Sequence, residues 1–426
     1  MVDYVKGKFF SKELQVEVKD RFLNCDYDPD AGRRIFFENA GGSLRLKAVN
    51  QKYAEIDSYP DCDSRKHERA KLLREKTLNG FSDLRIMFNA PKYGQIISET
   101  SSSKVMFTMV RTILENVPGT NCVVTDLDHP SVYDSMKYYA HKRGMEFRVA
   151  RPNPETGGVD VKSILDLIDD GTALINIIYA SNHTGAVLDL EEIVKQARKK
   201  KPGIFILVDA VQHMPHGIVD IEKTPVDGIN FAAYKVFGCR GFGAGYISDR
   251  VAIMDHPGIL GNLGDPWEIG GPAPAMYAAI SEIVNHVCWI GSQFSEEKDR
   301  RKLYEVGMHN IEMHERALMH YTLEGSNVVK GLRHIQNVIV HFDRDSYDKR
   351  DFIMPVTFKN IHFSEAVTEY RKRGVIVYDR NDSNYYSVRS LHPFGLDGII
   401  RVSPLHCHDE KDIEIFLKAT EEIAHL

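Results

Sequence analysis

Six cysteines in 426 residues, none of them spaced as a CxxC pair, leave the chain without a disulfide framework or a zinc-ribbon pattern. Basic residues are also outnumbered by acidic ones. The 54 Lys and Arg stand against 60 Asp and Glu, a net charge of -6, so no basic arm neutralises phosphates and nucleic acid is excluded as a main partner. The longest basic run, Arg198 to Lys201, closes an apparent helix, where cations are favoured by the helix dipole. No apolar run is long enough to span a bilayer, and the polar start Met1 to Lys6 carries no leader, so no membrane partner and a cytoplasmic location are expected. Internal repeats and low-complexity tracts are missing too. What remains is an ordinary globular composition, 43% hydrophobic and 27% charged, on a chain too long for one typical core.

Between about residues 95 and 250, short apolar runs alternate with amphipathic stretches, which predicts an α/β fold with a mainly parallel sheet covered by helices on both faces. Strands are expected at Gln95 to Ser98, Cys122 to Thr125, Glu146 to Ala150, Ala173 to Ala180, Ile204 to Asp209, Gly228 to Ala233 and Gly243 to Ser248. Helices are expected at Ser101 to Asn116, Ser131 to Arg143, Val161 to Ile168 and Asp189 to Lys200. The Gly/Pro-rich segment Pro257 to Pro274 breaks the pattern, and helical periodicity returns from Met276 to about Leu332. The tail reads as a small α+β unit, with strands at Asn337 to Phe342, Ile353 to Phe358, Val375 to Tyr378 and Ile399 to Ser403, and helices at Ser364 to Arg373 and from Asp409. The expected division is an N-terminal segment (1–30) packing on the domains, a large α/β domain (31–270), a helical connection (271–332) and a small C-terminal α+β domain (333–426).

Lysine seldom sits in an apolar frame without a partner or a task, yet Lys235 directly follows the strand-like run Gly228 to Ala233. Open α/β sheets bind ligands at the carboxyl ends of their strands, and those ends are polar here. Glu99-Thr-Ser-Ser-Ser103 opens a helix and offers an anion site. His129, Asn182, Asp209 and Gln212 follow other strands. Each has an ordinary explanation: serines cap helices, Asn182 before Thr184-Gly185 makes a turn, and Asp209 caps the next segment. Capping does not explain five such groups together with a lysine. Pyridoxal phosphate chemistry does, because it uses a desolvated lysine for a Schiff base, a carboxylate against the pyridine nitrogen, a helix N-terminus for phosphate and a flat side chain on the ring.

From about Phe36 to the C-terminus the chain resembles the class V aminotransferases, the fold-type I pyridoxal phosphate family that includes the cysteine desulfurases. The resemblance is carried by "FFENAGGS" (36 to 43), "SETSSSKV" (98 to 105), "DLDHPSV" (126 to 132), "ASNHTGAVLDL" (180 to 190), "LVDAVQHMPHGIVDI" (207 to 221), "AAYKVFG" (232 to 238) and "GIIRVSPLHCHDEKDI" (398 to 413). Tyr234 before the lysine and "NYYSVRS" (384 to 390) make it most similar to the desulfurase-like subgroup. The resemblance implies Lys235 as the Schiff-base lysine, Asp209 against the pyridinium nitrogen and His129 stacked on one ring face, with Val211 on the other. It further implies Asn182 and Gln212 on the ring hydroxyl, Thr100, Ser101 and Ser102 on the phosphate, and Arg401 with Asn39 on the substrate. Arg389 and Arg65 are the next candidates for the substrate carboxylate. A homodimer with active sites at the interface is implied as well.

The sequence also departs from the family pattern. Ala232 stands where a phosphate-binding serine is usual, and the stretch Gly270 to Pro274 lacks the threonine or asparagine usually lent to the neighbouring subunit. Arg240 or Ser103 would take over. The loop Ser390 to Asp397 has no cysteine to serve as the desulfurase nucleophile. Cys407, within His406-Cys-His408, reads as structural, and no metal site is expected, because adjacent residues do not readily share one tetrahedral ion. The reading is a pyridoxal 5'-phosphate enzyme that deprotonates Cα of a small α-amino acid, most simply a carbon-sulfur lyase of desulfurase type. Aminotransfer or epimerisation on the same scaffold, or a degenerate non-catalytic binding subunit, are the alternatives.

Overall fold

A computed structural model describes residues 6–259, 267–270 and 272–426. Its centre is a seven-stranded sheet built from β1 (Gln95–Glu99), β2 (Asn121–Thr125), β3 (Glu146–Ala150), β4 (Thr172–Ile178), β5 (Phe205–Asp209), β6 (Gly228–Ala232) and β7 (Gly243–Ile247). The spatial order is β1-β7-β6-β5-β4-β2-β3. Only β7 runs antiparallel, pairing with β1 on one side and β6 on the other. The strands are apolar on both faces because both faces are covered. Val123, Ile175, Ile206 and Val208 point into one core, while Cys122, Val124, Leu174 and Leu207 point into the other. That double burial explains continuous apolar runs in place of strict alternation.

Helices return the chain between strands, and each begins where its sequence supplies a cap. Ser101 caps Ser102–Asn116, His129 caps Pro130–Lys142 and Asp189 caps Leu190–Lys200. The helix expected over Val161 to Ile168 is shorter, Val161–Leu165. The helical stretch expected from Met276 to Leu332 is two helices, Pro274–Ser292 and Arg300–Glu324, the second capped by the Asp299 side chain. They cross closely. A Cβ on Gly291 would lie 2.1 Å from the Leu303 carbonyl, and one on Gly307 2.0 Å from that of Val287, so neither position admits a side chain.

The C-terminal unit holds a four-stranded antiparallel sheet of β8 (Val338–Val340), β9 (Met354–Phe358), β10 (Tyr378–Asn381) and β11 (Gly398–Val402), in the order β8-β9-β11-β10. The strand expected over Val375 to Tyr378 divides: Val375–Ile376 pairs in parallel with Ile35–Phe36, and only Tyr378 onward joins the small sheet. Ile35 and Phe37 therefore pack in the core of the C-terminal unit, although the sequence placed them with the large domain. The N-terminal segment ties the helical connection to the C-terminal unit: Lys8 N–H donates to the Met313 carbonyl, and Lys19 pairs with Asp409 and Asp412. Three helices ahead of β1, Lys12–Asp20, Lys47–Asp57 and Glu68–Phe88, were not read from the sequence.

Candidate active site

Five strands of the large sheet deliver residues to one cleft. Its walls include Ser101, Ser102 and Ser103 after β1, His129 and Ser131 after β2, and Ile178 and Asn182 at and after β4. Asp209, Val211 and Gln212 come from β5, and Ala232, Tyr234 and Lys235 from β6. The cleft contains about 540 Å³ of empty space, counting the part open to solvent at its mouth, within the range of small-molecule sites.

Lys235 closes a short turn, Ala233 to Lys235, that ends β6. The turn is held tightly. Phe237 adopts a left-handed conformation (φ 61°), its N–H donating to the Ser43 hydroxyl and its carbonyl accepting from Leu46 N–H at 3.1 Å. An aromatic residue adopts that backbone only where its surroundings enforce it. Lys235 Nζ donates to the Ala40 carbonyl. Burial draws the ammonium down to about 7; Arg401 and Arg240 add to the effect, while Glu38 and Asp209 oppose it. Asp209 ends β5, and its carboxylate accepts from Val211 N–H at 3.1 Å. Burial raises it to about 6 against the pull of Val211 N–H, Lys235 and the Ser131 hydroxyl.

His129 is placed by the turn it ends. Asp128 accepts from Thr125 N–H and Ile178 N–H, both at 2.6 Å, which ties β2 to β4. Arg389 donates to the carbonyls of Asp126 and Asp128. The His129 ring lies 2.8 Å from the Ser131 hydroxyl through Nδ1 and stands edge-on to Tyr386. Burial first, and Lys235 next, hold its imidazole neutral, down to about 3. Tyr386 also donates to the Asn182 side chain. At the helix start, Gly243 lets β7 pass directly beneath: a Cβ there would sit 2.1 Å from Ser102 N. Asn230 holds the Ser102 hydroxyl at 2.6 Å.

Ser101, Ser102, His129, Asn182, Asp209, Val211, Gln212 and Lys235 thus all line one cleft. Thr100 does not; it is exposed and outside the walls, and Ser103 occupies the cleft instead. Asn39 is likewise no contact residue. Its amide donates to the carbonyls of Phe36 and Ser403, both at 2.9 Å, and its oxygen accepts from Leu44 N–H, so it fastens the 36–44 turn. Arg389 is occupied with backbone carbonyls, and Arg65 is exposed. Arg401 lies behind the walls. It is 2% exposed, Nη1 donates to the Asn182 carbonyl at 3.0 Å and Nη2 to Glu38. Gly271 lies outside the described residues. Ser131 and Tyr386 were missed by sequence reasoning, although Ser131 belongs to "DLDHPSV" and Tyr386 to "NYYSVRS". Among the described residues no cysteine lines the cleft. Cys407 is buried with its sulfur 3.9 Å from that of Cys25.

A lysine, a carboxylate and an imidazole brought into one cleft at the strand ends of a mixed sheet of this order are the groups a fold-type I pyridoxal phosphate site requires. The residues present fit that group. The Gln212 side-chain oxygen is buried and, among the described residues, accepts no hydrogen bond, which is what a ring hydroxyl would satisfy. Comparison with known proteins agrees. The family model "Aminotransferase class-V" matches residues 35–416. A cysteine desulfurase of Wigglesworthia glossinidia brevipalpis is 23% identical over 405 residues, 90% of this chain and 91% of the relative. A probable cysteine desulfurase of Borreliella burgdorferi is 24% identical over 98% of this chain and 96% of its own. Among solved structures, the cysteine desulfurase CsdA of Escherichia coli superposes with a TM-score of 0.79 at 18% identity, covering 98% of this chain and 99% of that one. The chain belongs to the class V aminotransferase family and is a pyridoxal 5'-phosphate-dependent enzyme.

Proposed function

We propose that the protein is a carbon-sulfur lyase of the cysteine desulfurase type, acting on a small L-α-amino acid, with L-cysteine as the first substrate to test. The observation that carries this reading is the convergence of Lys235, Asp209 and His129 in one cleft beside a serine-lined helix start. When bound, pyridoxal phosphate supplies the electron sink for a carbanion at Cα. Lys235, neutral for part of the time near pH 7, is the base that takes the Cα proton at Nζ. Asp209 holds positive charge at the ring nitrogen. His129 covers the ring without adding charge. Ser101, Ser102 and Ser103 at the helix start hold the phosphate, where backbone N–H groups and the dipole favour an anion. Arg401 receives the α-carboxylate from β11, and Asn182 and Gln212 meet the ring hydroxyl.

Among the described residues no thiol lines the cleft to accept sulfur, so in desulfuration the sulfur passes to a small thiol as its persulfide, and in β-elimination it leaves as sulfide. Among the described residues no helix is long and apolar enough to cross a membrane. A cytoplasmic homodimer is part of the proposal, to be checked by light scattering. The deciding experiment incubates the cofactor-loaded protein with L-cysteine and identifies the carbon product. Alanine with released sulfur marks desulfuration, and pyruvate with ammonia and sulfide marks β-elimination. Cysteine that merely exchanges its Cα proton, or yields a keto acid only when an amino acceptor is present, would overturn the lyase reading in favour of epimerisation or aminotransfer.

A further inference from the structure

We propose that Glu38 is a specificity-determining residue: a tethered carboxylate that occupies Arg401 in the open site and screens out simple carboxylic acids. The inference rests on the reading that Arg401 receives the substrate's α-carboxylate.

Arg401 offers little that is free. Its Nη1 donates to the Asn182 carbonyl, its Nη2 donates to Glu38 Oε1, and its Nε is buried with no partner among the described residues. The guanidinium charge is therefore already answered. An incoming carboxylate either displaces Glu38 or binds beside it against like charge, and both routes cost affinity. Glu38 is the partner that can leave. The Asn182 carbonyl is fixed backbone, whereas the Glu38 side chain is 19% exposed and has rotatable bonds through which to swing.

The local sequence builds a seat for this contact. Glu38 bridges Ser403 through the backbone, and Ser403 lies two residues beyond Arg401, on the same face of an extended segment. The turn that follows brings Gly41 back under the Glu38 carboxylate. A Cβ on Gly41 would lie 2.2 Å from both of its oxygens, so the carboxylate rests where only glycine leaves room. An amino acid brings a second attachment through its amine, enough to compete for Arg401. A plain carboxylic acid has no such second hold, and Glu38 keeps it out.

Propionate is the probe, because it carries one carboxylate and no amine. Its affinity for the cofactor-loaded protein, measured by calorimetry, is expected to rise by about tenfold or more in Glu38→Gln, the size of one charge-assisted pair. Gly41→Ala is expected to act in the same direction by pushing Glu38 aside, and it keeps the test open should Glu38→Gln fail to fold. In an Arg401→Gln background the gain should vanish. Unchanged or weaker propionate binding in both variants would overturn the proposal, as would a gain that survives loss of Arg401. Failure to release sulfur from cysteine would refute the lyase reading separately, since propionate binding needs no turnover.

Discussion

Replacing Lys235 by methionine should stabilise the cofactor-free protein, with a pH dependence that identifies the cause. Burial draws the Lys235 ammonium from its ordinary value of 10.5 down to about 7. At ~1.4 kcal/mol for each tenfold, holding a proton there costs the folded state about 5 kcal/mol. Lysine is charged in both folded and unfolded chains below the folded value, so the whole penalty applies there. Between about 7 and 10.5 the unfolded chain binds the proton that the folded chain has released, and the penalty shrinks as pH rises. Methionine removes the penalty and fills similar volume, while the hydrogen bond to the Ala40 carbonyl, roughly 1 kcal/mol, is lost. The net gain should be about 4 kcal/mol near pH 6.5, falling toward zero or below by pH 10. Urea unfolding of both cofactor-free proteins between pH 6.5 and 9.5 measures it. A difference that does not change with pH would refute the reasoning, because it would mean the amine is solvated in the folded protein.

Asp209→Asn should still acquire the visible absorbance of lysine-bound cofactor but lose most turnover, since a neutral amide cannot hold the ring nitrogen protonated; unchanged kinetics would reduce Asp209 to a structural role. In the native protein, turnover should decline below about pH 6 while cofactor absorbance persists, because Asp209 takes up a proton there and loses the charge that holds the ring nitrogen protonated. Trapping with an alkylating reagent during cysteine turnover, followed by peptide mass analysis, should find no persulfide, because the Ser390 to Asp397 stretch has no thiol and Cys407 is buried with its thiol pushed well above its ordinary range; a persulfide on Cys239 or Cys407 would contradict this. Arg401→Lys keeps the charge but loses the planar fork, so the apparent substrate constant should rise by the worth of a charge-assisted pair, about 2 kcal/mol, with the cofactor absorbance unaltered. Arg389→Lys should instead lower thermal stability, because Arg389 ties down the carbonyls of Asp126 and Asp128.

The sheet was legible because strands buried on both faces leave an uninterrupted apolar record, and β2, β5 and β6 begin and end within a residue or so of where the sequence put them. The residues just past those strands were legible for the same reason. Other parts depend on contacts between distant segments. "NYYSVRS" has no apolar period, yet Tyr385–Leu391 is helical because Asn384 caps it and Tyr386, Arg389 and Ser390 are buried against the large domain. The break in the helical run after Met276 is marked in the sequence only by the polar stretch Ser292 to Asp299, which ends in the Asp299 cap, while the close crossing of the two helices at Gly291 and Gly307 depends on contacts between them. Asn39 shares a motif with Glu38, and sequence could not tell which side chain faces its own turn and which reaches Arg401.

The two central groups of the cleft are displaced toward each other by one cause. Burial lowers the lysine to about 7 and raises the aspartate to about 6, so both charges are expensive while the site stands open. They relieve one another only in part, because Arg401 and Arg240 act on Lys235 against Asp209 and Glu38. A ligand that consumes the amine and presents a cation to the carboxylate removes both penalties in one event. Its binding should therefore stabilise the protein beyond what the phosphate contacts supply, and more steeply when ring nitrogen and aldehyde are both present than when either is missing. Pyridoxal phosphate and pyridoxine phosphate differ only at the aldehyde, and thermal unfolding with each separates the share due to Lys235 from the rest. Equal stabilisation by the two compounds would show that the desolvated lysine is not what drives cofactor capture.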